Sequence, residues 1–200
     1  MHRLYFLLLA ISFCQWSFTK TFLIADRYLD VEKGHYVDSP VIVIEDDRIL
    51  SMTGDIERRQ SSDQVINLAG MTLLPGLVDS HVHIEGNQSL HGYEKLGQSD
   101  QAALLSGVSN ARDMLTAGIT TIRNLGSKTY GDIALRDAID GGIIDGPRIF
   151  AAGPPLGITG GHCDSTLLPR EFGLKSPGAA DGPWEVVAKV RENIKYGSDV

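Results

Sequence analysis

The second half of the chain alternates predicted strands with predicted helices, and this order constrains the fold more than any other feature. Residues 71–79 are nearly all apolar, which is typical of a strand buried on both faces of a parallel sheet. A helix is predicted over residues 100–117, where apolar residues recur at helical spacing. Later strands are predicted at residues 120–123 and 147–152, and later helices at residues 132–140 and from Pro183 onward. This order predicts parallel β/α units, in either a doubly wound sheet or a (β/α)8 barrel.

The region before residue 71 has a different pattern. Short apolar runs without a helical period predict four strands, at residues 21–25, 41–44, 48–52 and 64–68. The acidic turn at residues 45–47 predicts a hairpin between the second and third strands. We therefore expect a small β-sandwich over residues 21–70, followed by an α/β domain over residues 71–200.

The first residues have the pattern of a secretory leader. A charge at Arg3 precedes an apolar run at residues 4–13, which is shorter than the roughly 20 residues of a membrane span. Ser12 and Cys14 place small side chains where a signal peptidase requires them, so a signal peptide is predicted at residues 1–14. A lipid-anchored Cys14 and a buried N-terminal strand are the alternatives. We expect an exported protein, periplasmic or extracellular, with no stable membrane span after cleavage.

Charge and cysteine content exclude two further classes. The net charge of −7 argues against an extended basic surface for nucleic acid. If Cys14 leaves with the leader, Cys163 is the only thiol, so an intrachain disulfide is excluded. The expected partner is a small molecule, with a homo-oligomer of the full-length protein as an open alternative.

Two histidines follow the apolar strand, two residues apart. Because side chains alternate along a strand, His81 and His83 point to the same face, and Asp79 points there too. Two imidazoles at the end of a strand supply two ligands for Zn2+, for a site of one or two divalent ions. Asp79 lies one pleat deeper, where a carboxylate can orient a ligand ring. The alternative is a pair of solvated loop histidines.

His162 is the second candidate site residue. It follows the Gly-rich loop at residues 153–161, which itself follows a predicted strand. In that position it can bind a substrate carboxylate or orient a leaving group, and a histidine that caps a backbone carbonyl is the alternative. Arg123 ends the second strand of the α/β domain, and we expect it to pair with a carboxylate inside the barrel.

Residues 74–83 resemble the first barrel strand of the amidohydrolase superfamily, in which the H-x-H pair binds the more buried metal. Three later segments resemble its imidazolonepropionase-like branch, which includes Xaa-Pro and Xaa-Arg dipeptidases: residues 117–126, 160–164 and 184–196. The likeness runs from about residue 22 to residue 200. The chain departs from the branch at Asn124, where Asp is usual, and at Cys163, where Gly is usual.

This resemblance implies a metal-dependent hydrolase that cleaves a C–N bond in a small amide or dipeptide. It also implies that a carboxylated lysine, two more histidines and the Asp base lie beyond residue 200. By that comparison the chain holds three of the eight barrel strands, and we expect it to be an inactive N-terminal fragment. A cyclic amidase, a deaminase and a non-catalytic relative are the alternatives.

Overall fold

The computed structural model describes residues 19–200, so the predicted signal peptide at residues 1–14 lies outside the described residues. The chain divides into two compact units, and the division falls between Pro75 and Gly76. Pro75 has no N–H to donate to a strand ladder, which explains a break at this point. Within the described range, no helix has the length and apolar character needed to cross a membrane.

The first unit contains five strands. They are β1 (Lys20–Asp30), β2 (His35–Asp38), β3 (Val41–Glu45), β4 (Arg48–Ser51) and β5 (Gln64–Leu73). One edge of β1 pairs antiparallel with β3 and then with β2, and its other edge pairs in parallel with β5. β3 also pairs antiparallel with β4. Phe22, Ala25, Ile42 and Val43 are the buried apolar residues of this sheet.

The predicted β-sandwich over residues 21–70 is corrected by this topology, because the five strands form a single mixed sheet. A single sheet forms because β1 is long: along one edge, the first half of its 11 residues pairs with β3 and the last four residues pair with β2. The short strand β2 was missed because its sequence, His35-Tyr36-Val37-Asp38, contains only two apolar side chains.

The second unit contains three parallel strands, and a helix follows each strand. The elements are β6 (Leu77–Val82), α1 (Asp100–Thr116), β7 (Ile119–Asn124), α2 (Gly131–Asp140), β8 (Arg148–Ala151) and α3 (Pro183–Tyr196). The strand order is β6-β7-β8, and both pairings are parallel. The predicted alternation of strands and helices is therefore confirmed.

The core of the second unit lies on one face of this sheet. Ile122 and Ile149 from the sheet pack with Ala111 of α1 and Leu135 of α2, and all four residues are buried. Helix starts follow local sequence: the Ser99 hydroxyl accepts a hydrogen bond from Ala102 N at the start of α1. Pro183 occupies the first turn of α3, as expected from its fixed φ.

The predicted buried strand over residues 71–79 is wrong in two respects. Residues 71–73 end β5 in the first unit, and β6 begins only at Leu77 because the Pro75-Gly76 pair interrupts the strand. Leu77 is 55% exposed and Val78 is 69% exposed, so the start of β6 is not covered on both faces by the described residues.

Candidate functional site

His81 and His83 lie at the carboxyl end of β6, as their spacing predicts. Both side chains are exposed, and their ring centroids are 5.6 Å apart with an interplanar angle of 70°. Two imidazoles that share one ion at about 2.0–2.1 Å have ring centroids roughly 5 Å apart. The separation and the chemistry of the two donors therefore fit two positions of a metal shell.

Residues 19–200 bring no third ligand to this pair. Among them, no group of three or more His, Cys, Asp or Glu side chains has the geometry to hold a metal ion. A catalytic zinc usually has three protein ligands and a water. The described residues thus supply two imidazole donors to a metal shell and no third ligand.

The backbone of β6 around the histidines is held by two side chains. Asp79 Oδ1 accepts a hydrogen bond from His81 N at 3.1 Å, so this carboxylate contacts the main chain of His81. Arg123 Nε donates to Ser80 O at 2.8 Å. The predicted carboxylate partner of Arg123 is therefore replaced by a backbone carbonyl of the neighbouring strand. The role of Asp79 in orienting an imidazole ring stays a prediction.

His83 and the half-buried carboxylate of Glu85 line the same cavity, which has a volume of about 360 Å3. Glu85 packs so closely on Gly131 that a Cβ at Gly131 would clash with its carboxylate. Burial raises the pKa of Glu85, and the charges of Asp132 and Asp100 raise it further, whereas a hydrogen bond with Ser127 opposes the shift. Sequence reasoning missed Glu85 because Gly131, against which its carboxylate packs, lies 46 positions later in the chain.

A buried hydrogen-bond network joins the carboxyl ends of all three strands. Asn124 Oδ1 accepts from Ile84 N at 2.8 Å, directly after His83 in the chain. Asn124 Nδ2 donates to Gly126 O at 3.1 Å and to Asp132 Oδ2 at 3.0 Å. Asp132 Oδ2 also accepts from Gly153 N at 2.9 Å, after β8. Both polar side chains are 0% exposed, so this network fixes the loops that carry the site.

The departure at Asn124 has a physical explanation in this network. An amide at this position donates a hydrogen bond to the Asp132 carboxylate, whereas an ionised carboxylate would place two negative charges in contact. The neutral side chain therefore suits its buried, acidic neighbour.

His162 is exposed on the loop after β8, and it does not line the cavity that contains His83 and Glu85. Its neighbour Cys163, a free thiol, lines a second cavity of about 220 Å3 together with His83. The cavity shared with His83 is therefore lined by the residue after His162, and His162 itself lines neither of these two cavities. A substrate-binding role for His162 stays a prediction.

The sequence model of the amidohydrolase family matches residues 72–200. The ochratoxinase of Aspergillus niger is 30% identical over an alignment of 188 positions, and the matched segment covers 84% of this chain and 38% of the ochratoxinase. The chain thus spans less than half the length of this curated relative.

Solved structures show a similar arrangement. A Xaa-Pro dipeptidase with methionine bound in its active site has a TM-score of 0.78 and 30% identity, covering 90% of this chain and 46% of the dipeptidase. A prolidase complexed with N-methylphosphonate-L-proline has a TM-score of 0.74 and 30% identity, covering 90% of this chain and 45% of the prolidase.

Proposed function

The chain belongs to the amidohydrolase family, and on that premise we propose that it forms part of a metal-dependent hydrolase that cleaves a C–N bond in a small amide or dipeptide. We propose that its second unit is part of a (β/α)8 barrel, with the active site at the carboxyl ends of β6, β7 and β8. Active sites of such barrels lie at that end of the strands.

The observation that carries the proposal is the position of His81 and His83. Their rings lie 5.6 Å apart at the end of a parallel strand, inside the segment that matches the family. His81 and His83 would hold a divalent ion, with zinc as the expected metal because two imidazoles suit it. When bound, such an ion supplies a Lewis acid that polarises a carbonyl and acidifies water.

The other residues of the site hold these ligands in place. Asp79 and Arg123 both bind the peptide group between Ser80 and His81, which limits how far the strand end can move. Asn124 binds the amide that follows His83. These contacts hold the backbone beside both histidines, and the two imidazole rings are exposed.

The proposed substrate class rests on the relatives. The similar structures are named as a Xaa-Pro dipeptidase and a prolidase, and the curated relative as an ochratoxinase. We propose a small substrate with an amide between an acyl group and an amino acid. The length of these relatives supports a further proposal, that additional metal ligands and the catalytic base come from residues outside this sequence.

The test compares His81→Ala and His83→Ala with His35→Ala in the full-length protein that contains this sequence. His35 is an exposed histidine of β2 in the first unit and serves as the matched control. We expect either site variant to lose bound zinc and nearly all hydrolysis of a dipeptide panel, whereas the control keeps both. Wild-type zinc content in the double variant would refute the assignment. A variant whose KM rises while its kcat is unchanged would identify the altered residue as a substrate contact instead of a metal ligand.

A second measurement concerns residues 15–200 alone. We propose that this segment, supplied with zinc and bicarbonate, does not turn over dipeptides, because two protein ligands are too few for a catalytic zinc. Measurable turnover by the purified segment, abolished by chelation, would contradict this proposal.

We also propose that the protein is exported, because Arg3 is followed by the apolar run at residues 4–13. The N-terminal sequence of the product from cells that express the full reading frame tests this. Cleavage after residue 14 is the expected result, and a cytoplasmic product that still begins at Met1 would refute it.

A further inference from the structure

Three consecutive residues at the carboxyl end of β7, Asn124-Leu125-Gly126, meet three different parts of His83. One residue binds the backbone after His83, one binds the backbone before it, and one lies against its ring. We propose that this 124–126 segment positions His83, so that His83 is the fixed ligand of the metal pair and His81 is the adjustable one. The inference rests on the proposed function for the presence of the metal, whereas the fixing of the His83 ring can be measured without metal.

The main chain is held on both sides of His83. Leu125 N donates a hydrogen bond to Val82 O at 3.0 Å, on the peptide group before His83. Ile84 N, on the peptide group after His83, donates to Asn124 Oδ1 at 2.8 Å. Both peptide groups of this histidine are therefore bound to the end of the neighbouring strand, which restrains its backbone in two places.

The imidazole ring of His83 lies close to Gly126. A Cβ at position 126 would stand 3.3 Å from Cε1 and from Nδ1 of His83, and 3.3 Å from Cγ of Pro155. Carbon atoms pack at about 3.5–4.0 Å, so the ring would have to move if residue 126 carried a side chain. The absence of a side chain at Gly126 therefore lets the ring rest against the backbone of this segment, with Pro155 beside it.

The 124–126 segment is itself held in place by the Asn124 amide. Asn124 Nδ2 donates to Gly126 O at 3.1 Å and to Asp132 Oδ2 at 3.0 Å. Because Asn124 is 0% exposed, its amide cannot turn over without leaving buried groups unpaired. The amide oxygen is therefore kept towards Ile84 N, and the peptide group after His83 is kept with it.

The contacts that hold His81 are of a different kind. Asp79 Oδ1 accepts from His81 N at 3.1 Å, and Arg123 Nε donates to Ser80 O at 2.8 Å. Both hydrogen bonds lie at the surface, where water competes with them, whereas the side-chain hydrogen bond beside His83 is buried. We therefore expect the His83 ring to define the position of an ion and the His81 ring to adjust to it.

The first measurement uses the metal-free, full-length protein that contains this sequence, with histidine labelled with 13C at Cε1. Relaxation of each Cε1–H group gives an order parameter for the ring on the ps–ns timescale. The two signals are assigned by their loss in His81→Ala and His83→Ala. We expect a higher order parameter for His83 than for His81, and Gly126→Ala should shift the His83 signal more than the His81 signal. Equal order parameters, or a higher one for His81, would overturn the proposal.

The second measurement is the Kd for zinc, obtained by competition with a chelator. Gly126→Ala should weaken zinc binding by about tenfold, since the loss of contacts that orient metal ligands typically has an effect of this size. Gly126 does not have a left-handed backbone, so alanine places no strain on the main chain and acts through the ring of His83. The absorption spectrum of the cobalt(II)-loaded protein should change as well, because it reports the geometry of the ligands.

Gly97→Ala is the matched control, because Gly97 also lacks a left-handed backbone and a Cβ there would meet nothing within 4 Å. The control should keep the zinc Kd and the cobalt spectrum of the wild-type protein. A wild-type zinc Kd in Gly126→Ala would overturn the proposal. If the wild-type protein binds no zinc but the His83 ring is rigid and responds to Gly126→Ala, the positioning of His83 stands and the proposed metal site fails.

Discussion

The two units use their polar side chains in different ways. In the first unit, polar side chains form their contacts near the surface: Asp63 accepts from Lys20 N and Gln60 N, and Asp30 pairs with Lys33. In the second unit, Asn124 and Asp132 are completely buried at the ends of three strands. Both arrangements include contacts between segments about 40 positions apart, so they differ in burial: water reaches the first, whereas the second is enclosed.

This difference explains where a reactive site can be built. A buried polar group must keep its hydrogen bonds because water cannot replace them. The hydrogen bonds of Asn124 and Asp132 therefore limit movement of the loops after β6, β7 and β8. One of these hydrogen bonds is donated by Ile84 N, and Ile84 directly follows His83 in the chain. The surface turns of the first unit can rehydrate, so they place weaker limits on their surroundings.

The largest effect expected from this comparison is that of Asp132→Ala. It leaves Gly153 N without its acceptor and removes one acceptor from Asn124 Nδ2, both in buried positions. We expect a loss of about 3–5 kcal/mol in the free energy of unfolding of the second unit. Asp63→Ala in the first unit should have a much smaller effect, because water reaches the groups it exposes.

Hydrogen exchange read by mass spectrometry across a urea series separates these two effects, because it reports each unit in the same sample. The variants should be compared in the full-length protein that contains this sequence. Equal losses in the two variants, or a larger loss for Asp63→Ala, would show that burial does not distinguish the two kinds of polar contact.

A second and smaller effect is expected from Asn124→Asp. The change brings a new carboxylate against Asp132, and mutual repulsion raises the pKa of the pair in the folded state. A pKa raised by folding means that the folded state binds more protons, so the added destabilisation grows as the pH rises through that pKa. We expect the variant to lose about 1–2 kcal/mol of stability at pH 7 and to recover most of it near pH 4.

Urea unfolding of the second unit at several pH values measures this profile. Asn67→Asp in β5 is the matched control, since Asn67 is exposed and its side chain accepts from the nearby Ala69 N. The control should show no such pH dependence. A loss in Asn124→Asp that is the same at pH 4 and pH 7 would mean that shape, rather than charge, selects asparagine here.

The sequence predicted the parts of this molecule that depend on local pattern. The period of 2 in residues 79–83 placed His81 and His83 on one face, and apolar spacing with Pro183 predicted the helices. It did not predict Glu85, because its environment comes from loops that are far apart in the chain. Burial of Asn124 and Asp132 likewise depends on three strands meeting, which no local window contains.

The smallest expected effect concerns a surface carboxylate of the second unit. It tests whether hydrogen bonds to a solvent-accessible side chain are enough to order a loop. Asp164 is partly exposed on the loop after β8, and it accepts from Gly160 N, Ser176 N and Ser165 N, each at 2.9 Å. These backbone hydrogen bonds, led by that from Gly160, lower the pKa of Asp164 to about 2. The ordering of this loop should therefore be complete above the ordinary pKa of an aspartate.

Because folding lowers this pKa, protonation opposes the folded loop, and its ordering should decrease as the pH falls from about 4 through about 2. The protection of the Gly160 and Ser176 amides against hydrogen exchange, corrected for the pH dependence of the intrinsic exchange rate, should fall over this window in the wild-type protein. Asp164→Asn should show fast exchange of these amides already at pH 5, with the β6-β7-β8 sheet unaffected. Protection that persists in Asp164→Asn would mean that the loop is held by other contacts, such as those of Asp181 with Thr159. Loss of protection throughout the second unit would instead place Asp164 with the buried network rather than with the surface turns.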